Sequence, residues 1–427
     1  MTPEIKKRIE QIRRGEVPEG YKKSKIGVVP QEWGETHFRE MFSRLNRRNT
    51  EGNANVLTIS AQYGLINQGD FFNKAIASED KSNYFLLHRG EFAYNKSYSN
   101  GYPYGALKPL EMYESGIVSP LYICFSETAR NKCPQYYTQY FEGGLMNREI
   151  KAFAQEGARN HGLLNISVDD FFNSYLLVPV LPEQREIAAI LTTQDKVIEL
   201  KEKLLTEKQR QKKYLCQQLL TGKKRLPGVS GVWKKVNLRE VLKERKTKNI
   251  EQNLRICSVA VQSGVVDQIE HLGRSYAAAD TSNYGVACYG DIIYTKSPTG
   301  DFPYGIIKQS QMKENVAISP LYGIYVPETY GLGYLLHTYF ASAINAKNYL
   351  LPIVQKGAKN TINITNDIFI SNMLYLPMDK LEQNALAEIF IATDHEIELL
   401  QKSIDAEKQK KKALMQLLLM GIVRVKV

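Results

Sequence analysis

The sequence predicts an α+β fold: two tandem, similar mixed α/β domains separated by two long helices that form an antiparallel coiled coil, with pseudo-twofold symmetry. Three observations predict it. The chain carries an internal duplication with a period near 200 residues, it alternates between two textures, and each Gly- and Pro-free stretch holds a heptad register.

The duplication sets the domains. Segment 95–122, NKSYSNGYPYGALKPLEMYESGIVSPLY, lies without a gap against 295–322, TKSPTGDFPYGIIKQSQMKENVAISPLY. Upstream, Ser82-Asn83-Tyr84 matches Ser282-Asn283-Tyr284; downstream, Gly157-Ala158-Arg159-Asn160 matches Gly357-Ala358-Lys359-Asn360. The two tryptophans of the chain are Trp33 and Trp233. Such a period is too long for a solenoid repeat, so each copy reads as a domain plus a connector.

The domain texture mixes short β-branched runs, such as Ser119-to-Phe125 and Val316-to-Val326, with Gly, Pro, Asn and Ser. That pattern predicts short strands, turns and a few helices. The connector texture begins after Leu181-Pro182 and Leu376-Pro377 and runs to Gly222 and Gly421. Proline suits a helix start and glycine a helix end. The resulting division is a first domain at 1–182 with an N-terminal arm at 1–28, a helix at 183–224, a second domain at 225–379 and a second helix at 380–427.

Each connector is predicted helical and amphipathic. Leu191, Ile198, Leu205 and Leu219 are spaced in sevens around Lys212; Phe390, Ile397, Ile404 and Leu418 are spaced likewise around Lys411. Helices of this length reach about 57 Å, more than a small domain can cover, so they are expected to pair with each other. Pairing requires the second to run back along the first, which places the two domains at opposite ends of the bundle.

Charge suggests the partner. The 427 residues hold 56 Lys and Arg against 45 Asp and Glu, a net charge of +11. A pI near 9.1 points to an acidic partner, nucleic acid first. The five cysteines form no C-x-x-C and no zinc-ligand spacing, which suits a reduced, cytoplasmic setting. The N-terminus lacks a signal-type apolar core and no apolar run reaches membrane-spanning length, so no membrane partner is expected. No Walker A loop, methyltransferase Asn/Asp-Pro-Pro-aromatic motif or nuclease metal cluster occurs, and the six histidines are scattered. The expectation is no catalytic residue and no metal; Asp169-Asp170 reads as a helix start. Two copies of one domain joined by helices of fixed length suit a duplex with two half-sites at fixed spacing.

The chain resembles the specificity subunits of type I restriction-modification systems. The matching residues are LPEQREIA (181–188), LLTGKKRLPG (219–228), VPQEW and VSGVW (29–33, 229–233), and GARNHGLLNIS with GAKNTINIT (157–167, 357–365). The second helix departs from the pattern, starting Leu381-Glu382-Gln383-Asn384 without the proline. The resemblance implies a non-catalytic subunit that binds a bipartite DNA target, two half-sites with an unspecified spacer. It implies docking of two modification subunits, which methylate adenine, and of restriction endonuclease subunits. S-adenosylmethionine, ATP and Mg belong to those partners, and this chain binds no cofactor. The alternatives are a specificity chain of a related system that cuts on both sides of its site, a stand-alone nuclease or methyltransferase, and a coiled-coil scaffold that binds protein only.

Residues identical in both copies cannot make the halves read different bases; they build the fold or contact phosphate. Lys96/Lys296, Ser97/Ser297, Lys108/Lys308, Arg159/Lys359 and Asn160/Asn360 are the candidates for phosphate, with solvated surface residues the plainer alternative. Base reading is expected where the copies diverge inside the shared frame. Tyr98, Ser99, Asn100 and Gly101 face Pro298, Thr299, Gly300 and Asp301, and His161-Gly162 faces Thr361. Tyr102/Phe302 and Tyr104/Tyr304 are expected to pack beneath these loops.

Overall fold

One sheet is built twice. The computed structural model describes residues 2–60, 63–71, 80–99, 101–128, 133–156, 164–229, 231–356 and 362–427. The chain divides into unit 1, residues 1–201 with 403–427, and unit 2, residues 202–402.

Unit 1 opens with helix α1 (Pro3–Arg13). Its central sheet holds β1 (Phe42–Leu45), β2 (Phe92–Asn95), β3 (Ala106–Pro109) and β4 (Ile123–Glu127) in the order β1-β4-β2-β3, all antiparallel. Helices α2 (Pro134–Glu142) and α3 (Asn147–Phe153) follow, then the 39-residue α4 (Leu181–Leu219). Unit 2 repeats the sheet with β5 (Leu242–Glu244), β6 (Ile292–Tyr294), β7 (Ile307–Gln309) and β8 (Gly323–Pro327), ordered β5-β8-β6-β7. Helices α5 (Tyr330–Phe340), α6 (Ala343–Leu350) and the 39-residue α7 (Lys380–Leu418) complete it. Register repeats as well: Tyr94 faces Leu107, and Tyr294 faces Ile307.

Alternation along a strand explains why the central strands β2 and β6 are apolar on both faces at 92–94 and 292–294. On β2, Phe92 and Tyr94 enter the core that holds Phe38, Tyr137 and Phe171, whereas Ala93 enters a second core with Leu57, Phe85 and Val118. On β6, Ile292 and Tyr294 face one core and Ile293 the other. Both faces of each sheet are therefore covered at its central strand.

Each long helix passes from one unit into the other, so each unit contains the start of one and the end of the other. Within a unit these segments run antiparallel. In unit 1, Lys411 pairs with Asp195 at 2.6 Å and Lys201 with Glu407 at 2.8 Å. In unit 2, Lys212 pairs with Asp394 and Lys208 with Glu396 at 2.6 Å. The two lysines that interrupt the heptads thus meet aspartates that are themselves equivalent, 195 and 394. The apolar heptad positions divide by place. Leu191 and Leu418 join the core of the first domain, and Leu219 and Phe390 pack with Tyr334 and Leu335 of α5. Ile198 and Ile404 are buried between these ends; Leu205 and Ile397 are half-buried. The ends of the helices are thus part of the domains they enter, beyond the plain coiled-coil seam expected from the heptads.

The helix boundaries have repeated chemistry. Gly222 and Gly421 end the helices at φ +69° and +67°, the left-handed conformation that glycine adopts without strain. At the starts, Gln184 donates to the Pro179 carbonyl and Gln383 to the Pro377 carbonyl, both at 2.9 Å. Asp379 caps α7 by accepting from Leu381 N, which supplies what the missing proline does not. Glu183 and Glu382, each 1% exposed, accept from Trp33 Nε1 (2.6 Å) and Trp233 Nε1 (3.0 Å). An arginine neutralises each: Arg424 Nε lies 2.5 Å from Glu183 and Arg225 Nε 2.6 Å from Glu382. Each helix start is therefore locked by the tail that follows the other helix.

Candidate nucleic-acid interface

The β2–β3 and β6–β7 connections form the same hairpin. Ser99 and Tyr102 pair through their backbones, as do Thr299 and Phe302 at 3.1 and 2.9 Å. Gly101 and Gly300 take positive φ at the turns. Beneath the turn, Tyr94 donates its hydroxyl to the Tyr104 carbonyl (2.6 Å) and Tyr294 to the Tyr304 carbonyl (2.8 Å). Gly105 and Gly305 have φ +82° and +94°, and a Cβ there would overlap the carbonyls of Asn95 and Thr295. The doubled PYG is thus the hinge that folds each hairpin onto its sheet. Phe302 is buried below it, and Tyr104 and Tyr304 pack against the cores.

The tips present polar groups. Tyr98 is 63% exposed, and Ser297, Thr299 and Asp301 are exposed. Ser97 and Ser99 are half-buried. Lys96 and Lys296 stand at the bases, half-buried, and burial depresses the pKa of both ammonium groups. Glu244 partly offsets this for Lys296. Neither ammonium has a hydrogen-bond or ion-pair partner among the described residues.

A chain from a structural study of complex assembly and conformational transition of the type I R-M system superposes with a TM-score of 0.52 at 14% identity, covering 92% of this chain and 99% of that one. The S subunit of the type I restriction-modification system of M. genitalium superposes with a TM-score of 0.53 at 11% identity, covering 90% and 96%. The fold is that of a type I restriction-modification S subunit. No family model matches the sequence, and no curated protein matches it either.

Within this S-subunit fold two expected phosphate contacts are corrected. Lys108 is 9% exposed, its ammonium pairs with Glu142, and it donates to the Tyr102 hydroxyl at 3.1 Å. Lys308 is 6% exposed, and burial, with Lys212 beside it, depresses its pKa against the opposing pull of Asp394. Both lysines are directed at the helical side of the sheet, so their identity in the two copies reflects the fold. Asn100, Arg159, Asn160, His161, Lys359, Asn360 and Thr361 lie outside the described residues. Leu164, the first described residue after them in the first copy, donates its N–H to the Lys96 carbonyl at 3.0 Å. Ser167 caps helix 168–173 by accepting from Asp170 N, which accounts for Asp169-Asp170. Among the described residues no three His, Cys, Asp or Glu converge to hold a metal, and no helix is long and apolar enough to cross a membrane. Sequence reasoning missed the carboxylates Glu183 and Glu382; their equal spacing, with Arg225 and Arg424, was the available signal.

The contrast gives a test. Lys96→Ala lowers the slope of log affinity against log salt by about one, as expected for one lost phosphate contact. Lys108→Met leaves that slope unchanged and lowers the melting temperature. Fluorescence anisotropy over a salt series and a thermal melt check both; equal slopes for Lys96→Ala and wild type remove Lys96 from the interface.

Proposed function

We propose that this chain is the DNA-specificity subunit of a type I restriction-modification complex. It binds a bipartite target, one half-site per domain, and docks two modification subunits and the restriction subunits without performing catalysis itself. S-adenosylmethionine, ATP and Mg act on those partners. The observation that carries the reading is the duplicated domain, each copy presenting one hairpin of constant frame and divergent tip. A pair of half-site readers requires this combination: equal frames bind equal backbones, and unequal tips read unequal bases. The net charge of +11 supports a polyanionic partner.

Methylation mapping of DNA by the reconstituted complex tests the reading. A bipartite motif of fixed spacing is expected, and a continuous site sinks the proposal. Exchanging residues 98–101 for 298–301 changes one half of the motif and leaves the other half and the spacing as they are. Unchanged specificity after the exchange removes the hairpin tips from base reading.

A further inference from the structure

Each hairpin has a neighbour that neither the fold nor base reading accounts for. Both copies write Ser-Pro-Leu-Tyr, at 119–122 and 319–322, and fold it as one tight turn. The Ser119 carbonyl accepts from Tyr122 N at 3.0 Å, and its hydroxyl accepts from Leu121 N at 3.3 Å. Ser319 repeats both bonds, with Tyr322 N at 3.1 Å and Leu321 N at 3.4 Å. The proline presets the backbone at the second position of the turn. Tyr122 and Tyr322 pack against the cores that hold Val118 and Ile318. Serine, proline and tyrosine therefore build the turn. The leucines do not: Leu121 is 60% exposed and Leu321 69%. One exposed leucine is ordinary. Two at equivalent positions, in copies whose hairpin tips have diverged, call for a shared contact.

Strand register places the turn. Ile123 on β4 faces Tyr94 on β2, and Gly323 on β8 faces Tyr294 on β6. Each turn directly precedes its strand, so it lies at the sheet end from which the hairpin leaves. On its other side Val118 pairs with Phe85 and Ile318 with Gly285. Arg48 bridges to Phe85, and Lys248 to Gly285. Both cations are exposed. Arg48 donates to the Asn83 carbonyl and Lys248 to the Asn283 carbonyl, contacts that position each cation without neutralising it. Each unit thus sets an apolar tip near an exposed cation, on the end that carries the hairpin. Duplex DNA matches this pairing: phosphates meet the cation, and an aliphatic side chain finds its apolar contact between stacked base pairs.

We propose that Leu121 and Leu321 are wedges, one for each half-site, that enter a base step and kink the duplex there. This rests on the DNA-specificity function proposed above and adds a deformation to it. A wedge identical in both domains cannot tell bases apart by hydrogen bonds. It favours steps that unstack easily, pyrimidine–purine steps above all. The full chain, co-purified with the modification subunits, is bound to a duplex carrying the mapped motif, with a fluorophore pair flanking each half-site. Energy transfer reads the bend. Leu121→Ala removes a kink of at least about 20° from one half-site, Leu321→Ala from the other, and the double variant from both. Affinity falls at most about tenfold per leucine, because restored stacking offsets part of the lost apolar contact. The slope of log affinity against log salt keeps its wild-type value, since no phosphate contact is lost. Both side chains are exposed, and an unchanged melting temperature confirms folding. A bend retained in the double variant overturns the proposal, whatever the affinity does. Loss of the modification subunits from the double variant also overturns it, by assigning the leucines to a protein partner. Wild type that binds no duplex overturns the wider reading instead.

Discussion

Arg424→Met destabilises unit 1 by about 3–5 kcal/mol, the range for leaving one member of a buried ion pair without its partner. Glu183 is 1% exposed and sits under Trp33, so its carboxylate cannot turn to water once the guanidinium is gone. Arg424 itself is 31% exposed at the side chain, and water entering from its side places the loss toward the lower end of the range. Urea unfolding of the full chain measures the effect. Combining Arg424→Met with Glu183→Gln restores most of the stability, because the uncompensated charge leaves with the carboxylate. Arg225→Met does the same in unit 2 through Glu382. A loss below about 0.5 kcal/mol in both variants, the level of a surface pair, contradicts the account.

Gly305→Ala costs about 2–4 kcal/mol, from two sources that add. The backbone at φ +94° is strained for any residue with a Cβ, and that Cβ overlaps the Thr295 carbonyl, which is held in the sheet. Gly105→Ala behaves alike against Asn95. Gly101→Ala is the control: its φ is +84°, but a Cβ there meets nothing within 4 Å, so only about 1 kcal/mol is lost. Melting curves of the three variants separate strain from overlap. Equal losses at 101 and 105 refute the hinge.

Much of the fold was legible because duplication is a property of sequence. The offset between Trp33 and Trp233 located two domains, and the spacing of Leu191 and Phe390 located two helices. Gly222 and Gly421 marked helix ends that the structure reproduces. What sequence concealed was direction. Lys96 and Lys108 read alike as paired cations on either side of PYG. Only the placement of Glu142, on a helix that sequence does not tie to the strand, draws Lys108 inward. Heptads concealed a second choice in the same way. Phe390 suits a helix partner or a domain core equally by pattern, and the aromatic and leucine side chains of α5 decide for the core.

The sharing of helices between units has a consequence during synthesis. All of unit 2 lies within residues 202–402, while unit 1 needs Met415, Leu418 and Leu419 to close its core and Arg424 to neutralise Glu183. Unit 2 is therefore contiguous in sequence, whereas unit 1 is closed only by residues that follow the whole of unit 2. Although its domain is made first, unit 1 cannot close until residues 415–424 have been made, and until then it exposes the apolar cleft that Met415, Leu418 and Leu419 fill.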